Sequence, residues 1–199
     1  MGRTVWFRVN EGTLTPHVIS EDRGGHGIGV GDVNGDGRAD VLGPDGWFEA
    51  PEDPLKGQWI HRAEWSMGSA GISIIAHDFD RDGLTDVFWG MGHDYGLYWL
   101  KQSRDEEGQR TWTRRVVDET WSQAHGLTLA DLDGDGAMEA ITGKRRFAHN
   151  GKDPGAGGTA GALTRGPACS APGGTAPSRV KSPGERAPSM PRGSNGTDG

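Results

Sequence analysis

Asp32-Val33-Asn34-Gly35-Asp36-Gly37-Arg38-Ala39-Asp40 is the stretch on which the fold turns, because its pattern occurs three times. It returns as Asp78-Phe79-Asp80-Arg81-Asp82-Gly83-Leu84-Thr85-Asp86 and as Asp131-Leu132-Asp133-Gly134-Asp135-Gly136-Ala137-Met138-Glu139. Each copy sets oxygen-bearing side chains at positions 1, 3, 5 and 9, with glycine at position 6. That alternation lets several oxygens converge on one point, and the glycine permits the tight turn that brings them together. Hard cations such as Ca²⁺ take roughly six to eight oxygen ligands, so the pattern reads as a calcium loop. Position 7 varies freely (Arg38, Leu84, Ala137), as expected where only a backbone carbonyl is used. One such cluster alone also reads as an ordinary Asp-Gly or Asn-Gly turn. Three copies with an acid held at position 9 do not.

An EF-hand needs a bidentate Glu at position 12 between two helices. Here position 12 is Gly43, Trp89 and Thr142, and the flanks lack a helical period. Ile28-Gly29-Val30-Gly31, Ile72-Ser73-Ile74-Ile75-Ala76 and Leu127-Thr128-Leu129-Ala130 precede the loops, mostly alternating apolar and small residues. Asp40-Val41-Leu42, Asp86-Val87-Phe88-Trp89 and Glu139-Ala140-Ile141 follow them. Short β-branched and aromatic runs around a tight acidic turn predict β-hairpins whose turns hold the metal.

The loops begin at 32, 78 and 131, so they stand 46 and 53 residues apart, a period suited to a four-stranded propeller blade. Trp59-Ile60-His61-Arg62 and Trp112-Thr113-Arg114-Arg115 each lie 19 residues ahead of a loop, and Leu14-Thr15-Pro16-His17 holds a similar place. Gly46-Trp47-Phe48-Glu49 and Gly96-Leu97-Tyr98-Trp99-Leu100 follow the first two loops as aromatic strands, and Val5-Trp6-Phe7-Arg8 is like them. The expected architecture is all-β, a partial β-propeller of about three four-stranded blades. Residues 1–25 end an earlier unit, 26–69 and 70–122 form two units, and 123–150 begin a third that stops after its second strand. A repeat buries its apolar face only against a neighbour, so open faces are expected at both ends.

The loops and the small-residue strands before them resemble FG-GAP/VCBS repeats, the blades of integrin-α-like calcium-binding β-propellers. The resemblance covers roughly residues 5–147. It implies Ca²⁺ held by Asp32, Asn34, Asp36 and Asp40 with the Arg38 carbonyl. In the second loop it implies Asp78, Asp80, Asp82 and Asp86 with the Leu84 carbonyl; in the third, Asp131, Asp133, Asp135 and Glu139 with the Ala137 carbonyl. Propellers of this family close with about seven blades, so the chain reads as a fragment of such a ring. Ca²⁺ affinity follows charge count, and the first loop, with neutral Asn34, is expected to bind most weakly.

Composition divides the chain. All eight tryptophans lie at or before Trp121, whereas 7 of the 11 prolines fall within residues 151–199. That segment has no aromatic residue and no periodicity, and reads as a disordered low-complexity tail. Its composition is also that of an out-of-frame translation of GC-rich DNA, with a shift near Lys152–Gly157. Residues 1–150 carry a net charge of −10 and the tail +3. An acidic body argues against a nucleic-acid partner, and no apolar run approaches the ~18 residues of a membrane span. The lone Cys169 supplies no disulfide framework. No signal peptide opens the chain, which starts in mid-strand. An upstream segment bearing an export signal is expected, with a secreted or periplasmic parent protein, because extracellular Ca²⁺ modules bind weakly.

His26 and His125 both precede glycine and both lie six residues before a loop, where the middle unit has Ile72. As catalytic candidates they would line a central channel and bind a metal or move a proton. The aldos-2-ulose dehydratases, carbohydrate-modifying enzymes with metal-bearing propellers, carry a loosely similar run around Gly25–Gly37. As structural residues, His26 shares phase with Ile28 and Val30 and His125 with Leu127 and Leu129, and both pack between units. The structural reading is the favoured one. Trp47, Trp59, Trp99 and Trp112 recur at fixed places and read as packing residues, leaving Trp65 and Trp121 as the expected exposed aromatics. The function expected is a calcium-binding module for recognition of, or scaffolding with, a protein or glycan. A lyase or dehydratase domain and a truncated, non-functional remnant are the alternatives.

Overall fold

Alternating runs on either side of each acidic loop become antiparallel strands. The computed structural model describes residues 2–68, 70–157 and 163–165. These lie within one compact unit, Met1–Cys169. Strands β1 (Thr4–Asn10) and β2 (Thr13–Ser20) form a hairpin by themselves. Its two-residue turn, Glu11 (φ 46°) and Gly12 (φ 79°), has the left-handed geometry that suits strand twist.

Three meanders follow. The first sheet is β3 (Gly29–Gly31), β4 (Asp40–Gly43), β5 (Gly46–Glu49) and β6 (Ile60–Arg62), in chain order. The second is β7 (Ala70–His77), β8 (Asp86–Met91), β9 (Tyr95–Arg104) and β10 (Arg110–Ser122). The third joins β11 (Ala124–Ala130) and β12 (Glu139–Lys144) to β13 (Leu163–Arg165), which pairs Ile141 with Leu163. Each acidic loop connects the first two strands of its sheet, an arrangement no EF-hand shares.

Sheet faces stack on one another. Along β8, Val87 and Trp89 point into one core cluster and Phe88 into another; along β9, Tyr98 and Leu100 take the first and Leu97 and Trp99 the second. The second sheet is therefore covered on both faces, which explains why its strands read as unbroken apolar runs. Val33, Leu42 and Trp47 of the first sheet fill the first cluster, and Ala124 and Ala140 of the third fill the second.

The two outer faces are only partly covered: on the first sheet Val41 and Phe48 are buried, but neighbouring positions are not. Val33 and Phe79, at position 2 of their loops, are buried under the following sheet, but Leu132 at the same position is 54% exposed. On the opposite side Ile74 and Leu127 pack against the preceding sheet, whereas Ile28 and Val30 are 49% and 63% exposed.

The first strands of the three meanders sit side by side, β3 on β7 and β7 on β11. A parallel bridge joins Ile28 to Ser73, and the Ile74 N–H donates to the Ile28 carbonyl at 2.9 Å. Such close approach explains the alternating small residues: a Cβ on Gly29 would stand 2.1 Å from the Ile74 carbonyl oxygen, and one on Gly71 2.4 Å from that of Ala124.

Composition placed the tail's start at Gly151, but Gly151–Gly157 lies against the third sheet. A 3-10 turn, Ala148–Gly151, leads into it, and the Phe147 N–H donates to the Ala156 carbonyl at 3.0 Å. Gln123 Nε2 donates to the Pro154 carbonyl at 3.0 Å. Hydrogen bonds and a single buried Ala156 hold this segment, too little apolar surface for hydrophobic patterning to reveal it. Strand β13 also falls within the composition-defined tail, and the rest, 158–162 and 166–199, lies outside the described residues.

Trp65 and Trp121 are partly buried against the two clusters, contrary to their expected exposure, and the Trp65 indole N–H donates to the Gly43 carbonyl at 2.9 Å.

Substituting Gly29→Ala drives a methyl into the β7 backbone and lowers stability by about 1–3 kcal/mol or more. Gly143→Ala, where a Cβ meets nothing within 4 Å, shifts stability by less than about 0.5 kcal/mol. Urea unfolding of the two variants measures the contrast.

Candidate functional site

All three loops are closed by one hydrogen-bond scheme, dictated by their shared spacing. The position 1 carboxylate accepts from the N–H of the position 6 glycine: Asp32 from Gly37 at 2.8 Å, Asp78 from Gly83 at 2.9 Å, Asp131 from Gly136 at 3.0 Å. Position 5 accepts from the N–H of position 7: Asp36 from Arg38 at 2.9 Å, Asp82 from Leu84 at 2.9 Å, Asp135 from Ala137 at 2.8 Å. Left-handed backbone recurs at position 6 in Gly37, Gly83 and Gly136, with φ of 82°, 86° and 82°. At position 4 the first and third loops have Gly35 and Gly134, but the second has Arg81 at φ 61°, a conformation costly for a residue with a Cβ.

Position 9 does something different. Asp40 and Asp86 are fully buried and Glu139 nearly so. Each accepts the N–H of position 2: Asp40 from Val33 at 2.9 Å, Asp86 from Phe79 at 3.3 Å, Glu139 from Leu132 at 2.8 Å. The second oxygen of Asp40 accepts from Ala50 N–H, just beyond β5, and that of Asp86 from Gln102 N–H on β9, both at 2.8 Å. The acid thus ties its loop to the sheet's third strand. Burial pushes the Asp40 carboxyl up, and pushes Asp86 to about 6.

Carboxylate oxygens converge within 4.8 Å in two of the loops, from Asp78, Asp80 and Asp86 and from Asp131, Asp133 and Glu139. Asp32, Asp36 and Asp40 do not form such a trio among the described residues. Asn34 instead donates to Asp36 at 2.8 Å, and the Arg38 guanidinium bonds to the same carboxylate while its Nε donates to the Ala50 carbonyl. In the second loop Lys101, from β9, bonds to Asp80 and lies 2.7 Å from Asp82. Burial works against both charges, yet the mutual bonds prevail, holding Lys101 above and Asp82 below their ordinary pKa values. The pattern of loop residues gave no sign of this ammonium.

Loops are linked along one edge of the sheets. Buried Gln102 donates to the Val33 carbonyl of the first loop at 3.1 Å and to Thr85 of the second. Arg81 donates to the Gly136 carbonyl of the third at 3.0 Å. Residues 78–142 match the family described as FG-GAP-like repeat. This segment is similar to an FG-GAP-like repeat. It runs from the first residue of the second acidic loop to strand β12, so it holds both loops in which three carboxylates converge. Among the curated proteins, no match to the chain is found. No helix among the described residues is long and apolar enough to cross a membrane.

At the other ends of the same strands the structure gathers histidines. His26 before β3, His125 on β11 and His93 in the β8–β9 turn have ring centroids 5.0–6.2 Å apart. His26 is exposed and not packed between sheets, since no preceding sheet covers the face that it shares with Ile28 and Val30. His125 is half-buried, and its imidazole is pushed down first by burial, then by nearby Arg145 and His93. Sequence reasoning missed His93, which lies in a turn without repeat counterpart.

In chelator, folded Asp86 binds its proton below about 6 whereas the unfolded chain does so only near 3.8. Its contribution to stability therefore rises as pH falls through that window and is lost as pH rises through about 6. Asp86→Asn removes this pH dependence and, by leaving one oxygen for two N–H donors, lowers stability by about 1–3 kcal/mol. Melting curves of both proteins across the window measure the difference.

Proposed function

We propose that the three acidic loops bind Ca²⁺ and that the chain is a segment of a calcium-stapled β-propeller serving in recognition or scaffolding. The observation that carries this reading is the common hydrogen-bond scheme of the loops, together with the convergence of the oxygens of positions 1, 3 and 9 in the second and third. Convergent oxygen donors without nitrogen or sulfur suit a hard cation. The position 7 carbonyls of Arg38, Leu84 and Ala137 and the carboxylates of positions 1, 3, 5 and 9 complete each donor set.

Support for the propeller is the succession of meanders with first strands adjacent and loops on one edge, and two apolar outer faces that further blades would cover. In this reading 26–69, 70–122 and 123–150 are successive blades, the last incomplete. The parent protein is secreted or periplasmic, where millimolar Ca²⁺ can fill weak sites. The rim supplies contacts to a protein or glycan, without nucleic acid or membrane insertion.

The second and third loops are the stronger sites and the first the weakest. Ca²⁺ raises the melting temperature of the full chain and chelator reverses the rise, each site adding about 2.7 kcal/mol at about 100 times its Kd. By calorimetry, Asp135→Asn and Asp82→Asn cost more Ca²⁺ affinity than Asp36→Asn. A folded chain indifferent to millimolar Ca²⁺ overturns the proposal.

Lys101 competes with the ion for Asp80 and Asp82. Lys101→Met accordingly tightens Ca²⁺ binding at the second loop while lowering the stability of the calcium-free chain, read by calorimetry and melting in chelator respectively.

A further inference from the structure

We propose that His26, His93 and His125 form a binding site for a divalent transition metal of the Zn²⁺ class, at the end of the sheets away from the acidic loops. The inference stands independently of Ca²⁺ binding by those loops.

One ring nitrogen from each of the three histidines lies within 4.8 Å of the others. His26 Nδ1 and His93 Nε2 are 3.2 Å apart. Two nitrogens bound to one tetrahedral ion at about 2.0–2.1 Å would stand about 3.3 Å apart, so this spacing is already that of a ligand pair. His125 completes the set. Both of its ring nitrogens are buried, and neither makes a well-aligned hydrogen bond among the described residues, the weak pull of the Gln123 backbone aside. A buried polar ring with neither nitrogen satisfied is costly, and an ion between the three rings would remove that cost.

A carboxylate orients the central ligand. Asp153 Oδ2 and Arg145 Nη2 lie 3.0 and 3.2 Å from His93 Nδ1; the nearer carboxylate accepts from an Nδ1–H, and in that tautomer the lone pair is on Nε2, facing His26. Asp153 is itself held by Arg145 Nη2 at 3.3 Å and by His149 Nδ1 at 2.9 Å, and the His149 ring stacks on His93 at 4.8 Å. His93, His149 and Asp153 also converge. Their polar atoms already satisfy one another, however, whereas those of His125 do not. That difference assigns the metal to the His26 side of His93.

Three imidazoles favour Zn²⁺, Cu²⁺ or Ni²⁺ over Ca²⁺, which prefers oxygen. Three protein ligands leave a tetrahedral ion one open position. Exposed His26 puts that position towards solvent, where a water or an oxygen-donor ligand can take it. Each ligand adjoins or belongs to a different sheet, so the site exists only where the three sheets meet.

The test uses the full chain with millimolar Ca²⁺ present throughout, so that the acidic loops are occupied. Co²⁺ is the probe. Bound by three imidazoles it gives the intense visible bands of a tetrahedral ion, and Zn²⁺ displaces it at one equivalent per chain. Asp153→Asn weakens Zn²⁺ about 10–100-fold. His26→Ala, at an exposed position that the core does not need, abolishes the tetrahedral bands, as does His125→Ala. His17→Ala, on β2, changes nothing. A folded wild-type chain that shows no tetrahedral Co²⁺ bands overturns the proposal, as do bands that survive His26→Ala. If Ca²⁺ fails to stabilise the chain while the Co²⁺ bands persist, the calcium reading falls and this one stands.

Discussion

A buried carboxylate at the ninth position of each loop is the constraint on which the rest of the structure depends. In the first two loops it bridges an N–H from the loop's second residue and one from the region of the third strand, about ten to sixteen residues further on. A hairpin turn, the strand after it and the next strand are thereby locked at one point. Burying a carboxylate is expensive unless it is well hydrogen-bonded, and the raised pKa of Asp86 records the residual cost. Under the proposed Ca²⁺ binding, a cation beside the same group would offset that cost, and the architectural role of the residue would support the proposed one.

From that point the two ends of the sheets diverge in chemistry. At the loop end, oxygen donors prevail and the nearest cations are Lys101 and the guanidinium of Arg38, both supplied by the chain itself. At the opposite end nitrogen donors prevail, from His26, His93 and His125, with Asp153 behind them. Close contact of β3, β7 and β11 places these ends in fixed relation, because glycines at 29 and 71 let backbone meet backbone across the sheets. Oxygen donors and nitrogen donors are thus kept at opposite ends of the strands.

Energetically the molecule is asymmetric along its chain. The second sheet has both faces buried, with Trp89, Phe88 and Leu97 fully enclosed. Its outer strand adds Arg114 and Arg115, whose guanidinium groups lie 3.9 Å from the Tyr98 ring and 4.9 Å from the Trp99 ring. The sheets on either side are less fully covered, with Val30 and Leu132 exposed on their outer faces although Val41 and Phe48 are buried, and the β1–β2 hairpin exposes Phe7, Val9 and Leu14. Stability in such a stack is the sum of each unit and its interfaces, so the end sheets are the ones that open first.

The amino-acid sequence alone determined what is local. The acidic loops were legible because their hydrogen bonds close within a few residues, so spacing of Asp, Asn and Gly carries the whole scheme. The strands of the meanders were legible because short β-branched and aromatic runs flank each loop, alternating where one face is covered and unbroken where both are. Tertiary structure decided the rest. Lys101 reaches a loop 19 residues away, Gln102 joins two loops across 69, and His93 meets His26 across 67. His93, Asp153 and Arg145 lie in turns and ends without repeat counterparts, where no periodicity marks them. Whether a residue of the right phase is buried was likewise beyond the sequence: Ile28 and Ile74 occupy equivalent places, yet only Ile74 has a sheet to face. Burial and long-range convergence depend on which neighbour occupies the next layer, and that is a property of the assembled sheets rather than of any stretch of chain.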